Sequence, residues 1–535
     1  MRRNILGPLI FPRKSLVRRT SPGTGLIINQ VWPSDPKRGL AIAAGEIELC
    51  GILVRNPTPR WFPPGGTEDW YAAWHGFDWI GDLVAAGPAA REEVGKLVQH
   101  WLSEQASFRR LLVAWRPDVV GTRLFAWITH LDEIIAGGKD SVLTRAVLTS
   151  IAKQYRHLNR ATLREVEGAP RLRALKGLIA AAVTLGGSGA RAMRALSLLE
   201  REMSTQILPD GGHRSRSPSV QLRVLQDLID IRTVLRAAKL QPSATLTDAI
   251  ERLAPMLRLF RHGDRRLALF NDSVEEDGVL IDLVLTQSET RGRALSHAPD
   301  SGFERLHANK SLIVVDAGTR PPSGFDIHAH AGALSFEMSH DRERIVVNCG
   351  AYRGARSNWA RVARATAAHS VLVVADTNST EIREDGVLNR APMSVTSERA
   401  EHEGQQWISG THDGYRERFG LIYTRELFLA ADGDDLRGED RLVGRPGATF
   451  AVRFHLHPLV QASLAEGNVA LLHLPSGSRW RLRAAGAEMS LGESIYLGSG
   501  EARKTQQVVL SGSAAPGGTT VRWAMRREPH RIGFD

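Results

Sequence analysis

Cysteine is almost absent from this 535-residue chain: Cys50 and Cys349 are the only two, which excludes a disulfide framework and a cysteine-built zinc site. No run of about 18 apolar residues occurs, so no transmembrane helix is expected. Tyrosine is scarce as well. Of six, none falls between Tyr155 and Tyr352, so that stretch has no phenol to offer as acid or base. H-E-x-x-H, G-x-S-x-G and Cys-His nucleophile signatures are missing. Gly186-Gly-Ser-Gly189 lacks the Lys-Ser/Thr that completes a phosphate loop. No zinc-finger spacing, helix-turn-helix or aromatic-basic RNA motif is present, and no internal repeat.

What is present describes a soluble globular protein, with 42% hydrophobic and 24% charged residues. The length calls for two domains. A formal charge of +11 favours an anionic partner, although an arginine excess on a solvated surface reads the same way. Met1-Arg-Arg-Asn-Ile-Leu-Gly-Pro-Leu-Ile-Phe-Pro12 has the look of a secretory signal. Its apolar stretch is broken by Pro8, basic residues follow at once, and no small-residue cleavage site comes after. It reads as uncleaved, which predicts a cytoplasmic protein, with the periplasm or cell envelope as the alternative.

Residues 1–65, with Pro33, Pro36, Pro57, Pro59, Pro63 and Pro64, read as an irregular arm. Residues 66–272 read as helical. In Phe77–Ala86, Arg91–Trp101 and Gln221–Arg232 apolar residues recur at three- and four-residue steps, one buried face per helix. Tryptophans there, at helical spacing, are expected in the core rather than stacked on a ligand. Residues 273–535 change to short β-branched and aromatic runs between Gly, Asp, Asn and Ser turns, such as Ser311–Asp316, Leu421–Leu429 and Phe450–Leu456. Strands without intervening helices predict an antiparallel β-sandwich. The fold class is therefore α+β and multidomain.

The stretch richest in chemistry is Ile327–Ser370. His328-Ala-His330 leads into the alternating run Ala333–Ser339, then Arg344-Ile-Val-Val-Asn-Cys-Gly350, then Arg364-Ala-Thr-Ala-Ala-His369. Histidines at i and i+2 of a strand share a face. With Asn348 and His369 they can converge on one site, for a metal ion or for acid/base work. Each also has a plainer reading: the pair can cap a loop, and His369 can be a satisfied interior histidine.

These segments, in this order, resemble the C-terminal half of the heparinase II/III-like proteins. Asp210-Gly-Gly-His-Arg-Ser-Arg-Ser-Pro218, Phe260–Asp264 with Leu269–Asp272, and Arg453–Pro458 are similar to further segments of that family, so the resemblance spans nearly the whole chain. It implies that the helices form an incomplete α/α toroid ahead of the sandwich. It also implies a carbon–oxygen lyase that cuts a uronate-containing polysaccharide by β-elimination. That chemistry needs a base for the proton beside the carboxylate, a cation to offset the developing charge, and an acid for the leaving oxygen. Carried over by position, His328 matches the catalytic histidine. His330 and His369 match two ligands of the zinc found in some members, and the third ligand, an Asp there, is Asn348 here, a poor zinc ligand.

The toroid pattern, approximately D-G-x-x-x-E-x-S-x-x-Y-H, is kept at Asp210 and Gly211. It has Ser215, Val220 and Gln221 where Glu, Tyr and His are expected. His213 is then the toroid-side acid/base candidate. Arg214 and Arg216 are candidates for the substrate carboxylate, and Tyr352 and His157 for substrate contact. Ser217-Pro218 alone reads as a helix start. The expected partner is an acidic polysaccharide rather than nucleic acid. The alternative to the lyase is a non-catalytic glycan-binding or envelope scaffold that has lost its Tyr base.

Overall fold

The computed structural model describes residues 28, 30–105, 112–135, 141–186, 189–352, 357–383, 388–390 and 394–529. The signal-like segment at the start lies outside them. Within the stretch read as an irregular arm, a helix (Pro36–Ala43) and a small hairpin (Glu46–Leu49 with Ile52–Arg55) form. The helix starts on an Asp35 cap that accepts from the Lys37 and Arg38 amides. Among the described residues no helix is long and apolar enough to cross a membrane.

Between Glu68 and Gln287 the described residues form successive packed helices that make an incomplete α/α toroid. The last, Gly278–Gln287, lies beyond residue 272, where strands were expected, because its apolar Ile281, Val284 and Leu285 pack on the toroid core. Its centre is Ala169–Thr184, a helix buried on nearly every side because it is apolar nearly all round. It crosses Pro117–Thr129 backbone to backbone. A Cβ on Gly177 would lie 2.2 Å from the Gly121 carbonyl oxygen, and one on Gly121 would lie 2.6 Å from the Ala174 Cα. The tryptophans fill this core as expected: Trp61, Trp70, Trp74, Trp79, Trp101 and Trp127 are buried. Buried among them is Arg123, whose guanidinium stacks 4.5 Å from Trp101 and 5.7 Å from Trp115 and donates to the Gln154 side chain and the His75 and Ala114 carbonyls.

The C-terminal half is the predicted antiparallel sandwich. Strands 297–298, 303–308, 311–316, 336–340, 343–347, 372–374, 449–456, 488–496 and 503–513 form a nine-stranded sheet. Strands 395–402, 405–412, 421–429, 435–444, 461–465, 469–473, 479–485 and 519–527 form an eight-stranded one.

The nine-stranded sheet is the middle layer. Ser311–Asp316 and Phe336–His340 are buried at every position, so both of their faces are covered. Alternate residues serve different cores. Leu312 and Val314 join the toroid core, whereas Ile313 and Val315 join the core between the sheets. Phe336 stacks on Trp523 of the eight-stranded sheet, 5.7 Å between centroids, while Glu337 and Ser339 turn the other way to bond His262 of the toroid. The eight-stranded sheet alternates buried and open positions, as in Leu421–Leu429, so its far face meets solvent.

The glycine contact at the toroid centre yields a stability test. Gly177→Ala drives a methyl into a backbone carbonyl that cannot rotate away, and is expected to cost about 1–3 kcal/mol in chemical denaturation. Wild-type stability in that variant would show that the two helices separate freely.

Candidate active site at the junction of the domains

The toroid contributes the loop between helices Ala190–Gln206 and Pro218–Ala237. Asp210 organises it: one carboxylate oxygen accepts the Gly212 amide at 2.9 Å, the other the Ser301 amide and hydroxyl at 2.7 and 2.9 Å. Gly211 holds φ 85°, and a Cβ there would sit 2.1 Å from the Arg252 carbonyl oxygen. Ser217 caps the next helix, with Pro218 at its first position.

His213 lies inside this loop. Nδ1 meets the Ser215 hydroxyl at 2.8 Å, Nε2 meets Gln206 Oε1 at 3.2 Å, and burial lowers its pKa to about 3. Gln221, at the pattern's His position, brackets the loop through its amide, accepting from the His213 N–H and donating to the Gly211 and Leu253 carbonyls. Thus His213 is a loop-holding residue with both ring nitrogens engaged.

Arg216 is equally committed. It donates to the Ser301, Thr319 and Gly302 carbonyls and to Asp316 of the sandwich, and stacks 4.7 Å from Phe303. Four of its five N–H donors are thus spent inside the protein, and the side chain is buried. His157 sits apart, bonded at 2.7 Å to the Trp115 carbonyl in the toroid, with burial lowering its pKa. Arg214 alone of the loop candidates is uncommitted. It is half-buried, and among the described residues its Nε has no hydrogen-bond partner.

On the sandwich side, residues 328–335 are turns rather than strand, which begins at Phe336. His328 and His330 therefore do not share a strand face. They meet Asp272 from its two ends. The turn that carries Asp272 holds left-handed φ at Asn271 (46°) and Asp272 (60°). Asn271 ties it in place, donating to the Arg216 carbonyl and accepting the His330 amide, both at 3.0 Å.

His328 is 56% exposed, with Nδ1 2.9 Å from Asp272 Oδ2. His330 is buried; its Nε2 accepts the Asp272 amide at 2.9 Å and its Nδ1 lies 3.1 Å from His369 Nε2. His369 Nδ1 donates to the Ala365 carbonyl at 2.8 Å. The chain of bonds fixes every tautomer: His369 carries its proton on Nδ1, His330 carries its own on Nδ1, and His330 Nε2 is an acceptor.

This arrangement does not fit zinc. The lone pairs of His330 and His369 that would bind a metal are taken by the Asp272 amide and by the bond between the rings. Asn348 Oδ1 accepts the Ser370 amide at 3.0 Å, and its Nδ2 is a buried donor without an acceptor among the described residues. Among the described residues no three His, Cys, Asp or Glu side chains gather as a ligand set.

Two residues of the site were not singled out from sequence. Asp272 stood inside the Leu269-Phe-Asn-Asp272 segment without a role. Arg364 donates to the Ala329 carbonyl at 2.8 Å and keeps Nη2 buried, without a partner among the described residues. Burial lowers its pKa while the Asp272 and Asp326 carboxylates oppose the shift. Tyr352 is half-buried; the preceding Ala351 amide donates to the Ser273 carbonyl, which brings this stretch of backbone beside the Asp272 turn.

Comparison with known proteins places this geometry in context. Residues 290–524 match the family model described as heparinase II/III-like, C-terminal. A curated relative from Caulobacter vibrioides, FtsZ-localized protein C, is 29% identical over 92% of this chain and 88% of its own. A crystal structure of heparinase III superposes with TM-score 0.71 at 14% identity, covering 95% of this chain and 87% of that one. A heparan sulfate lyase from Pedobacter heparinus superposes with TM-score 0.60 at 15% identity, over 94% and 85%. The toroid-plus-sandwich architecture is thus shared with these enzymes.

The histidine pair sets a pH dependence. Burial lowers His369 from 6.5 to about 4 and His330 well below 6.5. Between those values the unfolded chain binds more protons than the folded one. The stability contributed by the neutral pair is therefore complete above pH 6.5 and is lost as pH falls toward 4. Urea midpoints are expected to drop from near neutral to mildly acidic pH. His369→Gln, which does not titrate, should start lower and fall less steeply; a slope equal to wild type would assign the acid sensitivity elsewhere.

Proposed function

Because residues 290–524 are a heparinase II/III-like C-terminal domain on a whole-chain heparinase III fold, we propose that this chain cuts an acidic polysaccharide by β-elimination, with the His328–Asp272 dyad as acid and base. One observation carries the reading: His328 is exposed, and a carboxylate holds its Nδ1. With Nδ1–H on Asp272, Nε2 offers a lone pair to substrate, and the carboxylate stabilises the imidazolium that forms.

The proton beside the uronate carboxylate passes to Nε2. The C–H electron pair becomes the new C=C bond, and the C–O glycosidic bond breaks with its pair on the leaving oxygen. That oxygen takes the proton back from Nε2, so one imidazole serves both steps. Arg364, whose guanidinium is anchored at the Ala329 carbonyl between the two histidines, and the half-buried Arg214 offset the charge that builds on the carboxylate. Tyr352, which follows the backbone bond between Ala351 and Ser273, is a substrate contact. His213, Arg216 and His157 hold the protein together and take no part.

A second reading has its own support. The toroid positions that would carry Glu, Tyr and His hold Ser215, Val220 and Gln221, and Ser215 and Gln221 brace the loop. With a relative named for its FtsZ localisation, that favours a protein that binds acidic glycan without cutting it, as part of a division-associated assembly.

Incubation with heparin, heparan sulfate, chondroitin sulfate, hyaluronan and alginate, followed by ultraviolet absorbance of the unsaturated uronate, separates the two. The lyase reading expects a signal that His328→Ala abolishes and Asp272→Asn lowers roughly 100-fold, the scale of a lost acid/base orientation. Saturable binding without product on any of these polymers selects the second reading.

A further inference from the structure

The solvent face of the eight-stranded sheet carries a groove that the dyad does not use. It lies on the side of the sandwich away from the toroid, since the nine-stranded sheet stands between. The cavity is about 620 Å³. Its axis is a row of cross-strand neighbours: Trp407 opposite Phe428, Phe428 opposite Arg437, Arg437 opposite Ala524, Ala524 opposite Arg483. Four interstrand steps of about 4.8 Å make the row roughly 19 Å long.

The row is chemically graded. At one end the Trp407 and Phe428 rings stand 5.0 Å apart, half-buried, with the Arg437 guanidinium 5.3 Å over Phe428. In the middle the floor is kept low by small residues. Gly438 leaves room for the Trp523 ring, where a Cβ would lie 2.1 Å from it, and Ala484, Ala485 and Ala524 line the rest. At the other end Arg483 is exposed and, among the described residues, has no ion pair or hydrogen bond. Around it positive charge is in excess. Arg479 and Arg481 alternate with Arg483 along one strand, and Arg522 and Arg526 along the next. Of the carboxylates near them, Asp435 and Glu439 are each shared between two arginines, Glu528 pairs with Arg481, and Glu426 lines the groove beside Glu439, which leaves Arg483 as the groove-lining arginine unanswered among the described residues.

An open aromatic end, a flat floor and a groove that ends on the unpaired Arg483 guanidinium, with Arg437 held over Phe428 by Asp435, select the occupant. A folded protein partner anchors apolar side chains in deep pockets, and this floor offers none. A sheet face also exposes no backbone edge on which a peptide strand can add. A polymer of rings bearing anionic groups meets both features at once, ring faces on Trp407 and Phe428 and carboxylates or sulfates on Arg437 and Arg483. We infer that this groove is a second, non-catalytic docking site for an acidic polysaccharide strand. It holds a distant stretch of the same kind of chain that the junction site engages. The inference rests on the acidic-polysaccharide reading above for its class of ligand.

The test measures heparin binding to the full chain carrying His328→Ala, so that cleavage cannot erase the probe. Arg483→Glu combined with Arg437→Glu should weaken binding about tenfold or more at moderate salt. Arg483→Glu alone and Trp407→Leu alone should each weaken it by a smaller factor. Arg191→Glu, the same charge change on a toroid helix, should leave affinity near its starting value. Equal losses from Arg191→Glu and Arg483→Glu would reduce the effect to diffuse charge and overturn the proposal. So would undiminished binding in the double variant, or competition by polyglutamate or single-stranded DNA as effective as heparin's own. The two readings fail separately. Groove-dependent binding without any cleavage by the wild-type chain removes the lyase and keeps the groove, whereas cleavage with binding indifferent to Arg483 and Arg437 does the reverse.

Discussion

The architecture of the site depends on the burial of one arginine between two domains. Arg216 sits at a left-handed φ of 57° at the start of a toroid helix, with its guanidinium taken up by three carbonyls and by Asp316 of the middle sheet. A guanidinium removed from water needs every donor answered, and a fork of planar N–H groups answers to few geometries. Satisfying it therefore fixes where the two domains meet. Its own carbonyl then receives Asn271, whose other amide atom receives His330. The position of Asp272, and through it of His328, follows from that clasp.

Much of this could be read before folding. Helical periodicity ahead of residue 272 and strand alternation further on led to the observed layers, because both patterns record which face is buried, whereas the helix Gly278–Gln287, apolar nearly throughout, was read with the strands. The helix start at Ser217-Pro218 and the core role of the tryptophans were legible for similarly local reasons: an N-cap and an aromatic at helical spacing act within a few residues of themselves. His328, His330 and His369 were legible as a group, since they recur at positions matching an ordered family pattern.

The individual roles were not. His213 and Arg216 have the right chemistry for acid/base work and carboxylate binding, yet packing consumes both. What decided this lies far along the chain: Gln206 for one, and Ser301, Thr319 and Asp316 for the other. The i and i+2 histidines were assigned to one strand face. In fact the strand starts six residues after His330, at Phe336, and the turn before it sends His328 outward and His330 inward. Asn348 weakened the case for zinc from sequence. The ring-to-ring bond between His330 and His369 removes it by satisfying the lone pairs a metal would need.

By itself, then, the sequence determined the α+β class, the order of toroid and sandwich, and the family likeness of the C-terminal half. These depend on periodicity, composition and residue order, which survive in one dimension. The tertiary structure alone decided which titratable groups face solvent, that Asp272 rather than His213 partners the chemistry at His328, and that the outer sheet lines up Trp407, Phe428, Arg437 and Arg483 in one groove. Those facts depend on burial and on pairing between strands distant in sequence, and desolvation and cross-strand register exist only once the chain has folded.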